Sequence, residues 1–213
     1  MTIFSAGVQG ISSVRVSGAS ALAYAGVMAM AEHSGRAISP LAVGLAALAV
    51  PATAALAGLT GWPLAGACVF GWVLLALTVG DLDRMVLPDY LTLPLIPAGL
   101  AEAWFGHGSA SLEDRAIGAA AGYLAFAGLR LVYRHWRGLE GIGGGDVKLL
   151  TAAGAWIGWA GLPILVLVAA AMALAVVVAD RRKAIRADRP VPFGAYLCLA
   201  LWAIWLYGPL ALD

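Results

Sequence analysis

The sequence predicts an all-α, polytopic membrane bundle of about eight transmembrane helices, seven if the first is not a span. Three observations carry that expectation. The 213 residues are 62% hydrophobic and only 12% charged, against about 45–50% and about 25% in soluble domains. Mean hydropathy is +0.89. The 27 glycines and 8 tryptophans suit membrane helices, where glycine is frequent and tryptophan gathers at the interfaces.

A span needs about 20 largely apolar residues. Such stretches run over 41–58, 62–80, 91–105, 116–133, 147–159, 162–179 and 191–207, several of them short. An eighth, 11–31, is diluted by Arg15 and several serines. A first charge only at Arg15 is a poor start for a signal peptide, so the stretch reads as an uncleaved helix. The short loop 32–40 leaves no room for a soluble domain, and the chain reads as a single membrane domain, residues 1–213.

Orientation follows from Lys and Arg in short loops. With the loop 81–89 inside, the inner side holds Arg36, Arg84, Arg134, Arg137, Lys148, Arg181, Arg182, Lys183, Arg186 and Arg189. The outer side holds only Arg15 and Arg115, and Arg130 lies in a helix near its inner end. Both termini then face outward. The run 180–189 is expected to fix topology and touch anionic headgroups, and "LWAIWLY" reads as an interfacial aromatic belt.

No basic run resembles a nucleic-acid patch, so membrane lipids are expected as partners and nucleic acid is not. Cys68 and Cys198 form no C-x-x-C and read as small buried apolar residues, with a disulfide between them left open. His33, His107 and His135 are scattered over loops and a helix end. Neither a metal site nor a cofactor is expected.

Ionisable residues at membrane depth are functional candidates by default. Two acidic clusters qualify, both on the inner side. One is "GDLDRMVLPDYLTLPL", 80–95; the other is "GLEGIGGGDVKLL", 138–150. Asp89 follows Pro88 and opens an apolar run, which reads as a helix N-cap. Asp83 reads as solvated or paired with Arg84. Asp81 ends an apolar run, where capping gives a carboxylate no role. Asp146 follows Gly141, Gly143, Gly144 and Gly145, which are expected to unwind the chain and admit water and an extended peptide. Lys148 either holds a carboxylate or meets a lipid phosphate. Two aspartates sharing a site hydrolyse a peptide bond when one takes a proton from water and the other polarises the carbonyl. Intramembrane acids also serve ion pathways, so a proton- or ion-coupled transporter subunit is the alternative. A transporter favours matching broken helices in two halves, and no second glycine-rich break occurs in the sequence.

Three blocks resemble the type IV prepilin peptidases, intramembrane aspartyl proteases of the G-x-G-D class. "DLDRMVLPDYLTLP" is similar to the family's first-aspartate motif, and "EGIGGGDVKLL" to its second. "RPVPFGAYLCLALW", 189–202, is similar to a Pro-Phe-Gly block near the family's C-terminus. The resemblance implies a peptidase core over 62–208, with 1–61 supplying additional N-terminal helices. It implies Asp81 and Asp146 as the catalytic pair, with Asp83 as the rival of Asp81. Gly143, Gly145, Lys148, Asp83 and Asp89 become supporting positions. The implied substrate is a prepilin or pseudopilin, whose basic leader is cut at the cytoplasmic face of a bacterial inner membrane. Longer members carry paired C-x-x-C motifs in an insertion after the first helix. Here that place holds "EHSGRAISP", which implies a compact form without structural zinc and puts N-methylation in doubt. Presenilin-like proteases share G-x-G-D, but their Tyr-Asp and Pro-Ala-Leu motifs are missing here.

Overall fold

A computed structural model describes residues 39–105, 110–137, 143–179 and 191–208. Among them it forms six α-helices and no strand: α1 Pro40–Leu56, α2 Trp62–Arg84, α3 Asp89–Glu102, α4 Leu112–Arg137, α5 Gly144–Ala179 and α6 Phe193–Tyr207. The 3₁₀ turn Ala103–Phe105 extends α3. The all-α expectation holds. Three helices, Trp62–Arg84, Leu112–Trp136 and Gly144–Val178, are long and apolar enough to cross a membrane, while Pro40–Leu56 and Phe193–Tyr207 are apolar but shorter. The expected count of eight spans is not reproduced, and both the stretch 11–31 and the basic run 180–189 lie outside the described residues.

The helices begin and end for local reasons. Ser39 caps α1, its hydroxyl accepting from the Ala42 N–H at 3.2 Å. Ser111 and Asp114 form a reciprocal capping box at α4: the Ser111 hydroxyl accepts from the Asp114 N–H, and the Asp114 carboxylate accepts from the Ser111 N–H. Helix α2 stops at Met85, a left-handed residue with φ 54° whose N–H donates to the Asp81 carbonyl. That conformation is costly for a residue with a Cβ, and it turns the chain into the loop leading to α3.

The sequence pattern suggested two spans, 147–159 and 162–179, where α5 runs as one element of 36 residues. A straight helix of that length would measure about 54 Å, far beyond an apolar layer of about 30 Å. Gly158 resolves the mismatch. Its φ of 74° and ψ of 175° break the helix, a conformation open to glycine alone at little cost. The chain then folds back. Asp146, ahead of the break, and Met172, beyond it, both reach the start of α6, at Gly194 and at Ala195 with Leu199 respectively. The Trp159 indole N–H donates to Asp114 at 3.0 Å, tying the turn to the start of α4.

Helix α4 lies antiparallel to the first half of α5 along a seam of glycines. A Cβ on Gly122 would meet the Leu150 carbonyl oxygen at 2.6 Å, and one on Gly118 the Gly154 carbonyl oxygen at 2.6 Å. Small residues let membrane helices approach this closely and gain dispersion contacts where no hydrophobic effect drives them together. Gly154→Val is therefore expected to lower the unfolding midpoint in detergent, at an overpacking cost of about 1–3 kcal/mol. Gly128→Ala meets nothing within 4 Å and should leave the midpoint unchanged or slightly raised.

The core gathers from every helix. Phe70 stacks on Trp156 with ring centroids 3.7 Å apart, and Trp205 meets both edge-on. Trp202 is 5% exposed. The expected aromatic belt at the end of α6 is thus corrected: these tryptophans are drawn inward because α6 is the element that α2 and α5 pack around. Arg115, assigned to an outer loop from its charge, is instead fully buried. It pairs with Glu102 and donates to the Gly99 carbonyl at 2.8 Å, one of the orphan acceptors at the end of α3. Cys68 and Cys198 are both free, Cys198 buried. Apolar side chains also cover the outside, among them Leu48, Leu124, Leu167 and Val178, as lipid contact requires.

Candidate active site

Asp81 occupies the last turn of α2, and Asp146 the first turn of α5. They meet at the start of α6. A Cβ on Gly194 would lie 3.0 Å from Asp81 Oδ2 and 3.0 Å from Asp146 Oδ1, so the two oxygens are at most twice that distance apart. The next residue completes the arrangement: the Ala195 N–H donates to Asp81 Oδ2 at 2.8 Å. Asp81 is 6% exposed and Asp146 is half-buried. Two carboxylates from helices far apart in sequence thus converge over a bare stretch of backbone.

Leu87 explains part of that convergence. It is buried, and its side chain would be struck at 2.8 Å by a Cβ on either Gly145 or Gly194. The loop after α2 therefore plugs between the starts of α5 and α6, and each helix supplies a glycine to admit it. This corrects the expectation that the whole glycine run is unwound. Gly144 and Gly145 are already helical, Gly143 stands just outside, and Gly141 lies outside the described residues. Gly144 and Gly145 serve close approach, to Arg130 and Leu87, rather than a break. Gly143 remains exposed, with its Cβ position 3.4 Å from Asp146 Oδ2.

The remaining acids separate cleanly. Asp83 is exposed and paired with Arg84 at 3.3 Å, and no contact links it to Asp146. Asp89 is not the N-cap expected: Pro88 holds that place, without a side-chain hydrogen bond, and Asp89 is the first residue of α3. Proline fixes the extended backbone there, leaving the Asp89 carboxylate to meet Lys148. The Lys148 ammonium donates to both Asp89 oxygens at 2.6 Å, so of its two expected roles it holds a carboxylate. The pair staples α3 to the turn that carries Asp146. With side chains 37% and 57% exposed, its worth is modest. A double-mutant cycle of Lys148→Gln and Asp89→Asn should return a coupling of about 0.5 kcal/mol in detergent unfolding.

Sequence reasoning did not single out Leu87, Gly194 or Ala195. The signal for the last two was present in the Pro-Phe-Gly block, which carried the resemblance without a role. Leu87 is one apolar residue among many, and nothing short of the fold marks it.

Known proteins bear on this arrangement. The model of the type IV leader peptidase family matches residues 68–178, which include both aspartates. A prepilin leader peptidase/N-methyltransferase of Aeromonas hydrophila is 45% identical over 152 residues, 70% of this chain and 51% of that protein. One from Burkholderia pseudomallei strain K96243 is 44% identical over 169 residues, 79% of this chain and 52% of that protein. One from Pseudomonas aeruginosa is 40% identical over 164 residues, 74% and 56% respectively. The chain thus spans about half the length of the curated relatives it matches. No solved structure matches it. Apolar helices and bacterial relatives together fit a protein of a bacterial inner membrane. With its family match covering more than half of its length and taking in both converging carboxylates, the chain belongs to the type IV leader peptidase family.

Proposed function

We propose that the chain is an intramembrane aspartic endopeptidase that removes the basic leader from type IV prepilins or pseudopilins at the cytoplasmic face. The observation that carries this reading is the meeting of Asp81 and Asp146 over Gly194. Like charges held this close favour a pair that shares one proton. In the reaction the ionised carboxylate takes a proton from water as its oxygen attacks the scissile carbonyl. The protonated carboxyl hydrogen-bonds the carbonyl oxygen and stabilises the charge that develops there. The tetrahedral intermediate collapses as the carbon–nitrogen bond breaks and a proton passes to the departing amine. Gly194 keeps the space between the oxygens free of side chain, and the Ala195 N–H holds Asp81 in position.

Family membership and the names of the relatives support prepilins as the substrate class. An apolar helix already lying in the bilayer would present its polar leader to a site at the membrane edge. The excess of Lys and Arg on the dyad's side supports a cytoplasmic orientation. The relatives' names include an N-methyltransferase; the two cysteines present form no C-x-x-C pair, and the proposal covers the peptidase step only.

Co-expression with a prepilin bearing a basic leader, followed by gel shift and N-terminal sequencing, tests the proposal. Conversion to the shorter form with a new N-terminus at the start of the apolar helix is expected. An uncut substrate alongside a proton leak in vesicles would overturn the peptidase reading and favour an ion pathway.

A further inference from the structure

Helices α2 and α3 are joined beside the aspartates by the short loop 85–88, and at their other ends they stand apart around a cavity of about 670 Å³. Gly66 and Ala67 of α2 form one wall and Ala98 and Ala101 of α3 the other, with Trp156 and Trp205 deeper in the lining. Packed interiors hold few voids larger than a water molecule, so a space of this size is built for an occupant. Gly66, Ala98 and Ala101 are exposed, which opens the cavity to the surroundings of the bundle. Glu102, the one charged residue in its lining, is paired with Arg115, so the occupant has no charge to answer. Small residues on both walls repeat the device that seats α4 on α5, where Gly118, Gly122 and Gly154 admit the neighbouring backbone. A Cβ on Gly66 would meet nothing within 4 Å; among the described residues, this seat has no helix in it.

One face of α3 connects the cavity with the aspartates. Tyr90, Leu93, Pro94, Pro97, Ala98 and Ala101 are all exposed, and their recurrence at three and four residues puts them on one side of the helix. The stripe begins beside Asp89, whose partner Lys148 lies two residues from Asp146, and it ends in the cavity wall. Pro94 and Pro97 lie inside α3 and lack the N–H groups that the Tyr90 and Leu93 carbonyls, four residues back, would otherwise bind. Two backbone acceptors are thereby released at the stretch nearest the aspartates, and at membrane depth such groups require donors. An extended peptide brings N–H donors to them, whereas an acyl chain brings none. Lengths agree as well. Gly66 stands about 22 Å from Asp81 along α2 at helical rise, and an apolar helix of about 20 residues is about 30 Å long. Such a helix, with its first residues at the aspartates, reaches the cavity with its second half.

We propose that the apolar segment of the substrate docks along this stripe. It is extended beside Tyr90 and Leu93, where it leaves the aspartates, and helical farther on, where it packs between α2 and α3 in the cavity. This docking rests on the peptidase reading above and adds the surface that holds the substrate. Because the cavity is remote from the reacting bond, its contacts are the same before and during the reaction, and they set KM rather than kcat.

Photocrosslinking and kinetics test this together. A benzophenone amino acid in place of Ala98, in an Asp146→Asn background that lets a co-expressed prepilin accumulate uncut, should capture the prepilin. The same group in place of Leu124, exposed on α4, should not. In the active chain, Ala98→Trp should raise KM for the full-length prepilin about tenfold with kcat within about twofold, the signature of lost uniform binding. A peptide that ends a few residues after the cut lacks the docking segment, so the KM penalty of Ala98→Trp should vanish with it. Should the tryptophan variant fail to reach the membrane, Ala101→Leu, a smaller intrusion into the same wall, is expected to raise KM in the same direction. Capture of phospholipid instead of prepilin at position 98, equal capture of prepilin at both positions, or an unchanged KM in the cavity variants would each overturn the docking surface while leaving peptidase activity standing. A wild-type chain that cuts neither the prepilin nor the short peptide would remove the peptidase reading, and the docking surface with it.

Discussion

Asp81→Asn and Asp146→Asn should each reduce leader cleavage by about a thousandfold or more, with membrane levels unchanged. Asparagine keeps the size of the side chain and its hydrogen bonding, but it neither takes a proton from water nor shares one with its neighbour. A positioned acid or base contributes about 10²–10⁴-fold. Groups that act as a unit lose nearly everything when either is removed, so the double variant should be little worse than the singles. Asp83→Asn is the internal control. It lies two residues from Asp81 in the same helix, yet its carboxylate is exposed and paired with Arg84, and cleavage should stay within about twofold of wild type, in line with the small worth of an exposed ion pair. Loss of cleavage in Asp83→Asn with Asp81→Asn unaffected would move the reacting pair by two residues and sink the present assignment. Cleavage is read by gel shift of the co-expressed substrate, and protein level by immunoblot of membranes.

Asp81 and Asp146 stood out as candidates because lipid makes ionisable groups expensive and neither had a sufficient local explanation; their pairing was implied by the resemblance, and the fold brings the two carboxylates together at Gly194. The same reasoning failed wherever a residue's role depends on what a distant segment brings. Asp89 looked like a cap because Pro-Asp before an apolar run is a local signal; its partner Lys148 is 59 positions away. Arg115 looked like a topology marker because its charge was visible and the Gly99 carbonyl and Glu102 were not known to be near. The tryptophans of α6 followed a compositional rule for interfaces, and the Phe70–Trp156 stack drew them inward instead. The fold-back at Gly158 was half legible: the chain was read as two apolar stretches, 147–159 and 162–179, but only the φ of 74° locates the turn and explains the glycine. Periodicity and composition report what a segment needs from its surroundings. They do not report which surroundings it finds.

Gly194→Ala should be the most damaging change that leaves every ionisable group in place. The added methyl would sit 3.0 Å from Asp81 Oδ2, 3.0 Å from Asp146 Oδ1 and 2.8 Å from Leu87 Cδ1. It therefore cannot be housed unless the carboxylates part, the Leu87 plug withdraws, or α6 shifts and breaks the Ala195 hydrogen bond. Each of those moves spoils the geometry on which the proposed chemistry depends. A misplacement of about 1 Å at reacting groups costs about a hundredfold, and a fall of at least that size in kcat is expected. KM should change less, since an apolar substrate helix would be held mainly by contacts elsewhere in the bilayer. Gly44→Ala is the matching control, another helical glycine, whose added methyl meets nothing within 4 Å; its cleavage rate should equal that of wild type. A shortened side chain at Leu87 separates the possible causes. If the methyl acts mainly by striking the plug, Leu87→Ala in the Gly194→Ala background should recover part of the rate. If it acts by parting the carboxylates, the double variant should stay inactive, and the bare backbone at position 194 is then itself a requirement of the reaction.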